Sequence, residues 1–271
     1  MTIHDLLNRL DESSFLGLEI WEFSFRSLRR RYGFTFLSRI VLRHPRKTIT
    51  GVLRYRRLLG ERGERGDITP LFPASEGAFI SRLGAGQRDL LVALGFCQKP
   101  LDPACPAGRP NHDCLYLDGL DLRAGKEFMH PACDQCKIGE IGARALHAGA
   151  SMHIMTSALD IAHDVMIPSI DHERFRSAIM CLCPYSVQAI ALPLIICGIE
   201  GFLISYASGN CLDYEQWLLA DKGIKREMTF LSPSAHGKVL SLLEVAADRR
   251  RNEAPYLSRF VRQGNIYVPS G

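Results

Sequence analysis

From Leu90 onwards the chain alternates short apolar runs with amphipathic segments, and this rhythm most constrains its fold. Leu90 to Phe96, Ser151 to Met155, Ser177 to Cys183 and Gly201 to Tyr206 read as buried strands. Ile138 to His147, Ser186 to Cys197, Asp213 to Lys222 and Ala235 to Ala247 read as helices. Gly149 suits the left-handed end of the first helix, and Ser157 with Asp160 has the pattern of an N-terminal capping box. Strand–helix alternation at this spacing predicts an α/β fold, a mostly parallel sheet with flanking helices. In such sheets ligands collect at the carboxyl ends of the strands.

All nine cysteines fall between Cys97 and Cys211. Cys97, Cys183 and Cys211 each stand at or just beyond the end of an expected strand, so residues distant in sequence are expected at one rim. Period-two alternation places Cys181 and Cys183 on one strand face, with Leu182 opposite. Cys197, inside an apolar helix, reads as packing. Cys97, Cys105, Cys133 and Cys136 lie in a polar, loop-like context, where burial is no obvious reason for a thiol.

Cys133-Asp134-Gln135-Cys136 is a C-x-x-C pair, and such a turn presents two sulfurs to one metal centre. Cys97, Cys105 and Cys114 lie upstream as further metal candidates, with Cys97, Cys105, Cys133 and Cys136 the expected ligands and Cys114 a competitor for one place. Cys183 and Cys211 are the expected cofactor-binding pair, serving the rim of the same cluster or a second centre. A second close pair, usual for zinc, is missing, and the cysteine-only spacing favours an iron–sulfur cluster of 4Fe–4S type; zinc is the alternative. Cys136 is followed by Lys137, which excludes the C-x-x-C-H pattern of covalent haem attachment. A thiol enzyme with Cys183 or Cys211 as nucleophile is a further option. His112 and His130 flank the cysteine loop. Gly84-Ala85-Gly86 lacks the third glycine of a dinucleotide loop.

At 271 residues, 46% of them hydrophobic, the chain has material for a sizeable core without cysteine staples. Met1 to Asp5 lacks a secretory pattern, and no uncharged run reaches the length of about 18 residues needed for a membrane span. The expectation is a cytoplasmic protein, where clustered cysteines favour metal or redox chemistry over disulfides. Residues 1–66 hold 14 Lys or Arg against 7 Asp or Glu, and the remainder 19 against 22. Two regions follow: a basic amphipathic helical segment, 1–66, and a cysteine-rich α/β domain, 67–271. Gly60 to Thr69 is the expected linker. A basic face over residues 1–59 suits an anionic membrane surface, and thus a peripheral membrane association, or a partner redox enzyme. Nucleic acid is not expected, because no recognition module accompanies the arginines.

Phe96-Cys97-Gln98, Ala104-Cys105-Pro106-Ala107, Cys133-Asp134-Gln135-Cys136-Lys137-Ile138-Gly139, Cys181-Leu182-Cys183 and Gly209-Asn210-Cys211 together resemble a cysteine-rich family called domain of unknown function 116. The resemblance spans roughly residues 88–225. It implies an α/β protein that binds an iron–sulfur cluster and supplies no reaction. Members often carry hydrophobic N-terminal segments at the membrane; the N-terminus here is amphipathic and basic instead. The function expected from sequence is therefore iron–sulfur cluster binding with an electron-transfer or accessory redox role in cofactor or lipid metabolism. The alternative is a zinc-stapled scaffold that docks through its basic helices.

Overall fold

A computed structural model of the chain describes residues 31–60, 66–71, 76–83, 90–124, 130–134, 136–212, 214–250 and 257–271. The helical pattern expected before residue 31, most of the expected linker, and the 84–89 glycine segment lie outside the described residues. Seven strands form one sheet: β1 (Ile68–Pro70), β2 (Leu90–Gly95), β3 (Ser151–Met155), β4 (Ser177–Leu182), β5 (Glu200–Ser205), β6 (Arg259–Gln263) and β7 (Ile266–Ser270). Their order is β1-β5-β4-β2-β3-β7-β6. The four inner strands, β5-β4-β2-β3, run parallel, and β1, β7 and β6 add antiparallel edges. The chain is thus α/β, with a mixed sheet built round a parallel core.

The helices in chain order are α1 (Arg31–Thr35), α2 (Pro45–Gly60), α3 (Glu76–Arg82), α4 (Leu115–Gly119), α5 (Pro131–Asp134) and α6 (Lys137–Ala148). They continue with α7 (Ala158–Ile161), α8 (Ile167–His172), α9 (Pro184–Ile196), α10 (Tyr214–Asp221) and α11 (Pro233–Arg250). Every residue of β2 and β3 is buried, as expected of parallel strands covered on both faces. Alternation sorts the side chains into two cores. Val92, Leu94, Ile154, Ile179 and Cys181 meet Ile138, Ile141 and Leu146 of α6 and Val239, Leu242 and Leu243 of α11. Leu91, Ala93, Ala178, Met180 and Leu182 meet α2, α7, α8 and α9 on the other side. Cys181 and Leu182 therefore face opposite cores, as the period-two pattern requires. Cys197 is buried at the end of α9 with the second core.

Two local signals set the ends of the helices that matter for the site. Gly149 closes α6 in the left-handed region at φ 71°. Ser157 and Asp160 form a complete capping box at α7. A third constraint holds the parallel core together: Gly201 of β5 has φ 143°, and a Cβ there would stand 1.9 Å from the Ala178 carbonyl oxygen of β4. Gly201→Ala must push β5 off β4 as well as strain its own backbone. A loss above about 3 kcal/mol is expected, read as a fall in thermal midpoint, whereas Gly237→Ala, on open space within α11, should leave it unchanged.

The β6–β7 hairpin, β1 and α3 were not expected from sequence. The β6–β7 hairpin turns on Gly264 and Asn265, a Gly-Asn pair that does carry a hairpin signal. β1 lies at the end of the expected linker and pairs with β5. The segment 158–172 is helical, as the capping box at its start implies, through α7, a π-helical turn at Ala162–Met166, and α8. In the N-terminal region α2 packs against α9: Tyr55 is fully buried, and Gly51 lies so close to Ile196 that a Cβ would sit 2.7 Å from its Cα. Residues 32–57 thus contribute to the second core, while Leu42, Ile49, Leu53, Arg46, Arg54 and Arg57 remain exposed.

Candidate functional site: two thiol groups at one sheet edge

The carboxyl ends of β2 and β4 are neighbours, but the chain leaves β2 for β3 on one side and reaches β5 from β4 on the other. The loops diverge there, and a crevice opens where α/β sheets take their ligands. Eight of the nine cysteines lie in or near this region, in two groups.

The first group is Cys105, Cys114, Cys133 and Cys136, which line one small cavity of about 20 Å³ together with Lys99, Pro106, Tyr116 and Ile138. Cys105 comes from the 99–113 loop. Cys114 is the N-cap residue of α4, and Cys136 is the N-cap residue of α6. At these caps the backbone N–H groups of Tyr116 and Leu117 act on the Cys114 thiol, and those of Ile138 and Gly139 on the Cys136 thiol, lowering their pKa values against burial, although neither sulfur makes a capping hydrogen bond. Cys133 sits in α5 and shares a tight turn with Cys136, whose N–H donates to the Cys133 carbonyl at 3.2 Å. Burial pushes the thiols of Cys114 (up to about 12), Cys133 and Cys136 above their ordinary range. A bound cation reverses that, because a coordinating thiol is deprotonated outright.

Lys99 builds the loop that carries Cys105. It is only 1% exposed. Its ammonium donates to the carbonyls of Gly108 (3.0 Å), Asn111 (3.0 Å) and Asp113 (2.7 Å) and to Asn111 Oδ1. Asn111 then donates from Nδ2 to the Ala107 carbonyl. Arg109 ties the loop to the rest of the edge, donating to the carbonyls of Lys225, Glu227 and Cys97. Tyr267 of β7 accepts the Cys114 N–H at 2.8 Å and donates to the His112 carbonyl. The unexpected hairpin is therefore what pins Cys114 in place.

The second group is Cys97, Cys181, Cys183 and Cys211, which line a separate cavity of about 90 Å³ with Phe96, Met155, Ile190, Trp217, Asp221 and Lys225. Thr229 donates its hydroxyl to the Cys97 sulfur at 3.1 Å. The Cys211 N–H donates to the Cys183 sulfur at 3.4 Å. The two thiols act on each other, lowering the Cys183 pKa and raising that of Cys211. Burial raises the pKa of Cys97 and of Cys181.

The structure thus divides the expected metal set. Cys105, Cys133 and Cys136 come together as expected, joined by Cys114. Cys97 goes with Cys183 and Cys211, because the 3₁₀ turn Phe96–Gln98 folds it back over the sheet edge beside Thr229 while the chain beyond Lys99 leads away. Lys99, Arg109, Thr229, Lys225 and Tyr267 were not singled out from sequence. Lysines and arginines near a polar loop read as solvated, and no local pattern announces a buried ammonium.

Among the described residues, one set of three metal-ligand atoms lies within 4.8 Å of one another: His112, His153 and Asp160. His112 Nδ1 contacts the Ile154 carbonyl at 2.7 Å, so it must carry the proton, and Nε2 faces Asp160 Oδ2 at 3.5 Å. The Asp160 carboxylate is already engaged by Thr156 and Ser157 in the α7 cap. This set is placed to tie the cysteine loop to the end of β3. No three cysteine sulfurs among the described residues meet the same spacing.

Comparison of the chain with protein-family models, curated proteins and solved structures finds no match.

Proposed function

We propose that the chain is an iron–sulfur protein whose cluster, of 4Fe–4S type, is held by Cys105, Cys114, Cys133 and Cys136. One observation carries this reading: four thiols from three separate segments face one cavity, two of them at helix N-caps. N–H groups directed at ligating sulfurs are among the means by which proteins stabilise and tune such clusters. The Lys99 ammonium beside them offsets the negative charge of a four-thiolate centre. A bound cluster supplies one-electron transfer, and the chain's own part is to hold, charge-balance and shield it.

Zinc is the second reading, and a specific observation favours it: a cavity of about 20 Å³ has room for little more than one small ion as the thiols stand. The sulfur spacing speaks the other way. Sulfurs round one zinc ion stand about 3.8 Å apart, and no three cysteine sulfurs among the described residues lie within 4.8 Å of one another. A cuboidal cluster gives each thiolate its own iron and spreads them wider. Anaerobic reconstitution with iron and sulfide tests the choice. About four irons per chain and an absorption band near about 400 nm are expected; stoichiometric zinc with neither would select the scaffold.

The reading extends to a partner. α2 and the turn before it leave Leu42, Ile49 and Leu53 exposed among Arg43, Arg46, Arg54 and Arg57, a surface suited to anionic lipid headgroups with apolar contact beneath. No described helix is long and apolar enough to cross a membrane. The full chain should co-sediment with vesicles containing phosphatidylserine and be released as salt rises from about 0.1 M to 0.5 M. Equal binding to neutral phosphatidylcholine vesicles would remove the electrostatic part of this reading.

A further inference from the structure

The second thiol group has features that a metal site does not require. Cys183 is the N-cap residue of α9, a 13-residue helix. Its sulfur takes the Cys211 N–H at 3.4 Å. Lys225 lines the same cavity as both sulfurs, and its positive charge favours their thiolates. The Cys183 sulfur thus stands at a helix N-terminus, accepts a backbone N–H and has an ammonium in the same cavity, and each of these favours a thiolate. Cys183 directly follows β4, and Cys211 follows the adjacent parallel strand β5 after a short turn, which brings the Cys211 N–H onto the Cys183 sulfur. Gly209 shapes the turn that delivers Cys211: its φ is 66°, and a Cβ there would meet the Met228 carbonyl oxygen at 1.9 Å. Both cysteines line the 90 Å³ cavity, whose walls are Phe96, Met155, Ile190 and Trp217. Cys183 is the more accessible at 9% exposure, and Cys211 at 3% lies behind it. The third thiol, Cys97, is held apart by the Thr229 hydroxyl, and the three sulfurs do not lie within 4.8 Å of one another.

We infer that Cys183 and Cys211 form a redox-active dithiol that exchanges with small disulfides in this cavity, with Cys183 as attacking thiolate and Cys211 as resolving thiol. The Cys183 sulfur forms a bond to one sulfur of the incoming disulfide, whose S–S bond breaks and releases one thiolate. Cys211 then loses its proton to solvent and attacks Cys183. The mixed disulfide breaks, and the second small thiol leaves. One disulfide and two protein thiols become two small thiols and one Cys183–Cys211 disulfide, so two electrons pass from the protein to the small disulfide. The helix N-terminus, the Cys211 N–H and Lys225 act on the attacking sulfur, and the apolar walls take the body of the substrate.

The inference stands apart from the cluster, and its test separates them. The full chain, reconstituted anaerobically and assayed for iron, is treated with glutathione disulfide, quenched with iodoacetamide and mapped by mass spectrometry. A Cys183–Cys211 disulfide should form with the release of about two glutathiones per chain. Cys211→Ser should stop at a glutathione adduct on Cys183, and Cys183→Ser should give neither product. Without the oxidant, Cys183 should be alkylated at least about tenfold faster than Cys197. Iron content should be the same in all three proteins. An unmodified Cys183 in the folded wild-type chain would overturn the inference. So would loss of bound metal in Cys183→Ser together with protection of Cys97, Cys183 and Cys211 from alkylation, since these three would then be ligands of a second centre.

Discussion

Cys114→Ser should reconstitute with fewer than about one iron per chain and no band near about 400 nm, while Cys97→Ser should reconstitute as the wild type does. The pair matters because spacing alone ranks these residues the other way, with Cys97 in the ligand set and Cys114 as competitor. Cys114 faces the cavity shared with Cys105, Cys133 and Cys136, and its N–H is fixed by Tyr267. Serine is a good N-cap residue, so the substitution keeps the start of α4 and removes only the sulfur. Cys97 lies in the other cavity, where its sulfur accepts the Thr229 hydroxyl and a serine can accept it equally. Circular dichroism of both variants should match the wild type, so an iron difference reports ligation and not folding. Iron lost from Cys97→Ser but retained in Cys114→Ser would return Cys97 to the cluster and refute the division into two groups.

The α/β class and four inner strands were legible because parallel strands buried on both faces are continuous apolar runs, and Leu90 to Gly95 and Ser177 to Leu182 are such runs. The arrival of Cys97, Cys183 and Cys211 at one rim was legible for the same reason: a strand fixes where its end lies. The division of the thiols was not. Spacing along the chain measures loop length, and the loop from Lys99 to Asp113 closes on its own lysine, so Cys105 and Cys97 part company despite being eight positions apart. Cys114 is drawn in by Tyr267, more than 150 positions away in a hairpin whose own signal, Gly264-Asn265, is two residues long. Contacts of that range leave no trace in local periodicity.

Lys99→Met should leave the sheet intact and empty the proposed cluster site. The Lys99 ammonium is the common donor to three carbonyls and one amide oxygen in the 99–113 loop, and it is buried. Removing it leaves those acceptors without their shared partner, at about 1–3 kcal/mol for each that stays buried. The sum would be a large share of a typical stability of about 5–15 kcal/mol, so the loop is expected to open to water instead of bearing that cost. Cys105 opens with it, while Cys114, Cys133 and Cys136 keep their places at α4, α5 and α6. Methionine matches the length of the lysine stem, so packing beneath the ammonium is largely preserved. Bound iron should fall at least about tenfold, far-UV circular dichroism should change little, and amides 100–113 should lose hydrogen-exchange protection that α6 and β2 retain. Any cluster that still assembles lacks the neighbouring positive charge and should show a more negative reduction potential. Wild-type iron content and unchanged protection of the loop in Lys99→Met would show that the ammonium neither builds the loop nor serves the site.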